Sequence, residues 1–388
     1  MVNKQDPISI TINKLRNLFL LFIVVVLGWI IVQFIVNYYG FRNPKEPTAI
    51  NNFPQTVSWI FQADEKVITT PIKDGDFIFV RTSGAIYKLE GKNGNLIWKA
   101  ASEAGTSAGG AYSILGPKIN GKYLVVPETG SRVAVFSSDT GKLIWRSLPP
   151  GYEQADIEAI TINQEFLVVA RWNWYLTAYD LTTGDILWEN SITGRSNPYI
   201  VSGGSYIYLG QENFLRIFEV QSGSLKWEFD IGGYSGPMLL DDEHLFITDE
   251  EMSRVIAINV NSQKILWDKT FLQIESFEFN CIFLSNDILY LSAQQLAAIS
   301  KIDGELIWAS QETGQLECPV AFSESIFVRN TDTNLFRLST ETGEKLGELA
   351  VQANAPMKHQ HDRSPLIFDN LLIVPFGDNR IFSYKIDE

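Results

Sequence analysis

The chain offers little conventional catalytic material. Its 388 residues include three histidines (His244, His359 and His361) and two cysteines (Cys281 and Cys318). The segment His359-Gln360-His361-Asp362 comes nearest to a metal motif. Side chains two apart share one side of an extended strand. Two imidazoles and a carboxylate could therefore begin a site, but a further ligand must come from elsewhere. The plainer reading is a solvated loop. His244 stands in an Asp-Asp-Glu-His turn and reads as surface. Two cysteines are too few for a disulfide-dense scaffold or for a zinc site built from several thiolates. A glycosidase needs two facing carboxylates in a cleft. Glu153, Asp156 and Glu158 are the closest candidates. No Gly-x-Ser-x-Gly and no glycine-rich phosphate loop at a strand-to-helix junction occurs.

One cluster has the composition of a binding edge. Arg171-Trp172-Asn173-Trp174 supplies rigid apolar area and a guanidinium, the residue types that dominate interface hot spots. The bland alternative is that these tryptophans plug or cap the fold. Charge narrows the partner. Lys+Arg is 31 and Asp+Glu is 45. The first 50 residues hold five bases and two acids, which leaves 26 bases against 43 acids beyond them. Such a body lacks the basic patch from which counterion release draws affinity, so no nucleic-acid partner is expected.

The elements that position these residues begin with an apolar run. Residues 18–36 read LFLLFIVVVLGWIIVQFIV without a charge. About twenty residues at about 1.5 Å each span a hydrocarbon core of about 30 Å. Trp29 lies inside the run, and Tyr38 and Tyr39 lie at its outer edge, where aromatic rings favour the interface. The pattern predicts a cytoplasmic tail over 1–17, a transmembrane helix over 18–39 and a linker over 40–55. Lys4, Lys14 and Arg16 before the run bias the N-terminus inward, so the rest is expected outside a plasma (inner) membrane. A cleaved signal peptide and a buried core helix are the alternatives. The run is longer than a usual signal-peptide core, and no small-x-small cleavage site follows it closely.

The remainder repeats. Gly94-Asn-Leu-Ile-Trp98 recurs as segments ending at Trp145, Trp188, Trp227, Trp267 and Trp308, and a degenerate copy ends at Gly347. Successive steps are 47, 43, 39, 40, 41 and 39 residues. An alternating stretch precedes each copy, as in LTAYDLTTG, and predicts a half-buried strand running into a tight turn. Four strands in about 40 residues make a propeller blade. Seven such units are complete. The last, ending RIFSYKIDE, lacks its fourth strand, and TVSWIFQ near the other end supplies it with Trp59 in register. The expected fold is all-β: an eight-bladed β-propeller of four-stranded antiparallel blades over 56–388, closed by an N-terminal strand. Seven of the ten tryptophans occupy one repeated position, which argues for packing between blades rather than for a ligand platform. The seventh blade, with Gly347, is expected to be the weakest unless a neighbour fills the gap, and Gly347→Trp is expected to raise thermal stability.

The repeat resembles the PQQ-like repeat, Ala-x-Asp-x-x-Thr-Gly-x-x-x-Trp. Ala178-Tyr-Asp180-Leu-Thr-Thr-Gly184-Asp-Ile-Leu-Trp188 matches it in full, and other copies keep the glycine and tryptophan. That family includes quinoprotein dehydrogenases, which use pyrroloquinoline quinone (PQQ) with calcium. It also includes cofactor-free propellers such as the BamB-type lipoproteins of outer-membrane barrel assembly. The vicinal cysteine pair of the quinoprotein alcohol dehydrogenases is missing here, and blades of about 41 residues leave no room for their long insertions. No lipid-accepting cysteine follows the apolar run, so a membrane helix would replace the lipid as tether.

The resemblance and the residues together point to a non-catalytic, membrane-anchored, extracytoplasmic scaffold that binds a protein, with no cofactor expected. A PQQ- and calcium-dependent dehydrogenase or ligand sensor, and a polysaccharide-binding or envelope-assembly module, are the alternatives. The longer links between blades should emerge on one face, and loops on a rigid scaffold are where binding concentrates. Tyr112, Tyr152, Tyr234, Glu275 and Glu278 join Arg171, Trp172 and Trp174 there. Cys281 and Cys318 align at the start of the first strand in neighbouring blades. A disulfide between them depends on whether their Cα atoms lie within about 7 Å.

Overall fold

The chain separates into two units, Met1–Glu46 and Pro47–Glu388. The computed structural model describes residues 48–386, apart from 52, 55, 104–114, 129, 148–156, 172–174, 193–198, 250–252, 273–278, 313, 331–333, 351–362 and 377. The expected tail and membrane helix lie outside the described residues. Among the described residues no helix is long and apolar enough to cross a membrane.

Residues 57–385 form eight antiparallel sheets, and no helix occurs among the described residues. Blade three shows the pattern: Ile157–Asn163, Phe166–Arg171, Tyr175–Asp180 and Ile186–Ser191 lie side by side in chain order. First strands meet in succession from blade two to blade six and from blade seven to blade eight, that of blade eight (Leu366–Phe368) meets that of blade one (Ile72–Asp74), and apolar clusters bridge the two remaining boundaries, so the ring is closed. Blade eight is completed by Val57–Gln62, which pairs with Arg380–Lys385, with Trp59 opposite Ser383.

The core is divided rather than central. Eight apolar clusters each fill one boundary between blades. Phe79 and Ile86 of blade one meet Leu124, Val126 and Phe136 of blade two. Their strand neighbours Ile78, Val80 and Tyr87 face blade eight. Both faces of a blade are therefore buried, and the second strands read as unbroken apolar runs such as FLVVA, from Phe166 to Ala170. Only the outer strands alternate between exposed and half-buried positions.

The repeated tryptophan and the repeated glycine belong to one contact across a boundary. Six of the seven indoles lie on the turn glycine of the next blade and donate their N–H to a main-chain carbonyl beside that turn; the turn after Trp227 carries Gln263 instead. Trp145 donates to Leu181 at 2.9 Å, Trp188 to Val220 at 2.8 Å and Trp308 to Thr340 at 2.9 Å. Trp59, Trp98 and Trp267 do the same to Gly91, Ser138 and Lys301. Trp227 sits with Val260 and Ile258 of the following blade. A Cβ at Gly184 would stand 2.6 Å from the Trp145 ring, and at Gly94 2.6 Å from Trp59. Both glycines also hold a left-handed backbone, with φ of 79° and 72°. In all eight blades the ladder to the outer strand slips by one residue just before the repeated position, a bulge that spoils the outer edge for pairing with other chains.

Blade seven departs from the expectation. Four residues of the stretch read as linker, Thr48–Asn51, form a fifth strand on its outer strand Lys345–Ala350, with Asn51 opposite Gly347. Phe53 then turns inward, 2% exposed, into the boundary between blades seven and eight. The gap at Gly347 is thus filled by a neighbour. The expected gain from Gly347→Trp falls with it, because an indole there would compete with Phe53.

Two glycines with the same backbone strain but different neighbours separate the contact from the turn. Nothing lies within 4 Å of a Cβ at Gly75, where φ is 54°. Gly75→Ala should cost about 1 kcal/mol, the price of a positive φ alone. Gly184→Ala should cost about 2–4 kcal/mol, because overpacking against a rigid indole adds to it. Equal losses in chemical denaturation would show that the indole yields and that the tryptophan–glycine contact is slack.

Candidate functional site

The face that carries the links between blades also carries the turns between second and third strands. At this end the second strands finish in polar or charged residues. They end at Arg81, Arg171, Gln211, Asp249, Ser292 and Arg329 in blades one, three, four, five, six and seven, and at Pro127 and Pro375 in blades two and eight. Every one of them is buried. Burying a guanidinium is costly unless it is paired and hydrogen-bonded. Here the arginines tie blades together. Arg81 donates to the Leu115 carbonyl at 2.6 Å and also to that of Pro127. Arg329 donates to Pro375 at 2.8 Å, the same step from blade seven to blade eight.

Arg171 belongs to this set and not to an exposed edge. It is 1% exposed and donates to the Tyr179 hydroxyl at 2.7 Å and to Thr177 Oγ1 at 3.0 Å. The expectation that it presents a guanidinium to a partner is corrected: it braces blade three from within. Trp172, Trp174, Tyr112, Tyr152, Glu153, Asp156, Glu275, Glu278, His359, His361 and Asp362 lie outside the described residues. Tyr234 is 40% exposed on the link between blades four and five, open to a partner. Glu158 is half-buried in the first strand of blade three. His244, also half-buried, lies beside Phe246 with ring centroids 6.3 Å apart.

The cysteine question has a definite answer. Cys281 and Cys318 are joined, their Cα atoms 5.2 Å apart, and link blade six to blade seven. Asn280 Nδ2 and Ser292 Oγ reinforce that junction by donating to the Leu316 carbonyl at 3.0 and 3.1 Å.

A group of charges that the sequence reading passed over lies where blades seven, eight and one meet. Arg329, Arg363, Arg380, Glu317 and Asp378 are buried there, and Lys66 is half-buried. Asp378 accepts from Arg380 Nε at 3.0 Å, and its carbonyl accepts the Val67 N–H at 2.8 Å. Ser364 N donates to Thr70 Oγ1 at 2.8 Å, which fixes the 66–70 segment against the start of blade eight. Burial pushes the Lys66 ammonium down to about 8, with repulsion from Arg363 adding and Asp378 opposing. Burial, with repulsion from Arg329, pushes Arg363 down to about 10 against the pull of Glu317 and Asp378. Only Arg329 of this group carried a sequence signal, as the charged residue that closes the apolar second strand SIFVR.

This chemistry suits anions and main-chain carbonyls. It does not suit the calcium of a quinone centre, which needs a set of oxygen donors. Among the described residues no three of His, Cys, Asp and Glu gather as a metal site.

The chain matches the family model described as outer membrane protein assembly factor BamB over residues 57–269 and 281–388. It is 28% identical over 180 residues to the assembly factor BamB of Yersinia pestis, a match that covers 42% of this chain and 43% of that protein. The chain thus spans less than half the length of that relative. The crystal structure of BamB from Moraxella catarrhalis shares the fold with a TM-score of 0.64 at 14% identity, covering 85% of this chain and 98% of that one. So does the quinohemoprotein alcohol dehydrogenase of Comamonas testosteroni, with a TM-score of 0.67 at 12% identity, covering 86% of this chain and 77% of that one.

The folded Lys66 binds its proton more weakly than the unfolded one, so protonation favours unfolding. The penalty is complete below about pH 8 and vanishes as pH rises toward 10.5, where the unfolded lysine also loses its proton. Lys66→Met should therefore raise the melting temperature at pH 7, by an amount that shrinks through pH 8 to 10.5. A gain that is constant with pH would mean that lost charge is not its cause.

Proposed function

We propose that this chain, which belongs to the family of the outer membrane protein assembly factor BamB, is a membrane-tethered scaffold that binds a protein partner in the cell envelope through its long-loop face and performs no catalysis itself. The observation that carries this reading is the family match across nearly the whole propeller, residues 57–269 and 281–388. The geometry supports it. Arginines at the mouth of the ring are spent on carbonyls of neighbouring blades, so the loops around them are held on a stiff frame. The Cys281–Cys318 disulfide supports an oxidising compartment, since such bonds persist outside the cytoplasm. The apolar run over 18–36 supports a single membrane span with the propeller on the extracytoplasmic side.

The partner is sought by cross-linking the full chain in its own membranes and recovering it from detergent. The variant carrying both Trp172→Ala and Trp174→Ala should capture at least about thirtyfold less partner, since even a single hot-spot aromatic is worth about 2 kcal/mol or more. Its melting temperature should not change. Unchanged capture would move the interface elsewhere on the face. Adding PQQ with calcium to the purified chain tests the rival: a melting shift or a new absorbance band would support a quinone-dependent enzyme. Mass measurement with and without reductant, on protein taken from the membrane, tests the compartment. Free thiols there would count against an extracytoplasmic propeller.

A further inference from the structure

We propose that residues 48–53 are a clasp, a wedge and a strand that substitute for the one tryptophan contact the ring cannot make, and that the tether is therefore part of the propeller.

In seven blades the outer strand carries a tryptophan that sits against the following blade's turn between third and fourth strands. Blade eight has no such turn, because its third strand Arg380–Lys385 ends the described chain and its fourth strand Val57–Gln62 begins the ring. A tryptophan in blade seven would have no turn to rest on. Blade seven is the blade whose outer strand carries glycine there, at Gly347.

Phe53 occupies the boundary in its stead. Its ring meets Phe327 of blade seven edge-on at 6.0 Å and Tyr384 of blade eight edge-on at 6.1 Å. It shares a cluster with Leu349, Leu372 and Phe382. Thr48–Asn51 immediately before it pair antiparallel with Ala350–Gly347, which makes blade seven the one five-stranded sheet among the described blades. The same segment then continues into Val57–Gln62 on blade eight. One stretch of chain thus grips both blades that meet at the point of closure.

A functional consequence follows from the count of blades. The tether joins the ring at blades seven and eight, and in a ring of eight blade three lies opposite blade seven. In the sequence Trp172 and Trp174 come directly after the second strand of blade three. A partner held there would therefore sit across the ring from the clasp and leave it undisturbed. The clasp itself does not depend on the scaffold reading.

Hydrogen exchange on the full-length wild-type chain in detergent tests it without a variant. Outward amides of Lys345–Ala350 should exchange at least about tenfold more slowly than those of Ile186–Ser191, an outer strand with nothing beside it. Equal rates would overturn the clasp. Phe53→Ala should lower the melting temperature by about 5–10 °C, the usual cost of emptying a buried phenylalanine site. Phe53→Leu should recover part of the loss. Ala49→Pro with Ile50→Pro should abolish the slow exchange of Lys345–Ala350 while blades two to five keep theirs. A Gly347→Trp chain that melts higher than its parent would also overturn the proposal, because it would show a seat that Phe53 does not fill.

Discussion

The contact on which the rest of this molecule depends is an indole of one blade laid on the turn glycine of the next. It joins two features that look separate along the chain. The tryptophan must be large and flat to cover the turn, and it gains apolar burial together with a hydrogen bond to a carbonyl. At six turns glycine leaves the space of a Cβ to the indole and tolerates a left-handed backbone, and blade five instead holds that backbone with Gln263. A repeat of about 40 residues is therefore not a self-contained unit. Its two most characteristic residues serve two different boundaries, and the core is a ring of eight boundary cores.

A ring made this way has a problem at the ends of the chain. The last blade has no direct turn between its third and fourth strands, because Val57–Gln62 comes from before blade one and Arg380–Lys385 from after blade seven. The tryptophan contact fails at this boundary for topological reasons and not through sequence decay. Glycine at 347 and phenylalanine at 53 read as two halves of one solution. A fifth strand and an aromatic wedge replace an indole and its seat. The disulfide from blade six to blade seven and the arginine hydrogen bond from blade seven to blade eight fall in the same sector, so covalent, hydrogen-bonded and apolar links gather where the backbone is interrupted.

The blades were legible in the sequence because a strand buried on both faces needs apolar residues throughout, and a tight turn needs glycine. Neither requirement depends on what lies far away in the chain. Blade number and the closing strand followed from the same pattern. Other features depend on distance in space. Arg171 next to two tryptophans has the composition of a binding edge, yet it ends an apolar second strand and turns inward to Tyr179 and Thr177. The same end position holds Arg81 and Arg329, a pattern that emerges only when the blades are aligned with one another. Thr48–Asn51, four residues beside prolines, carries no alternation strong enough to mark a strand and is defined by its partner alone. Residues 37 apart could not be judged as a disulfide until the separation of their Cα atoms was known.

The placement of charge bears on how such a propeller would live beside a membrane. Beyond the first 50 residues, acids exceed bases by 17. Arg81, Lys88, Arg171, Arg329, Arg363 and Arg380 are buried, against Glu128, Asp249, Glu317 and Asp378. Among the described residues the interior thus withdraws more positive than negative charge, which leaves their accessible surface more acidic than their composition alone implies. Anionic headgroups repel such a surface, and repulsion between like charges decays over a Debye length of about 8 Å at physiological salt. A propeller of this kind gains nothing by lying on the bilayer. On the proposed reading, a membrane tether would hold it near the bilayer while its own charge kept it from adhering.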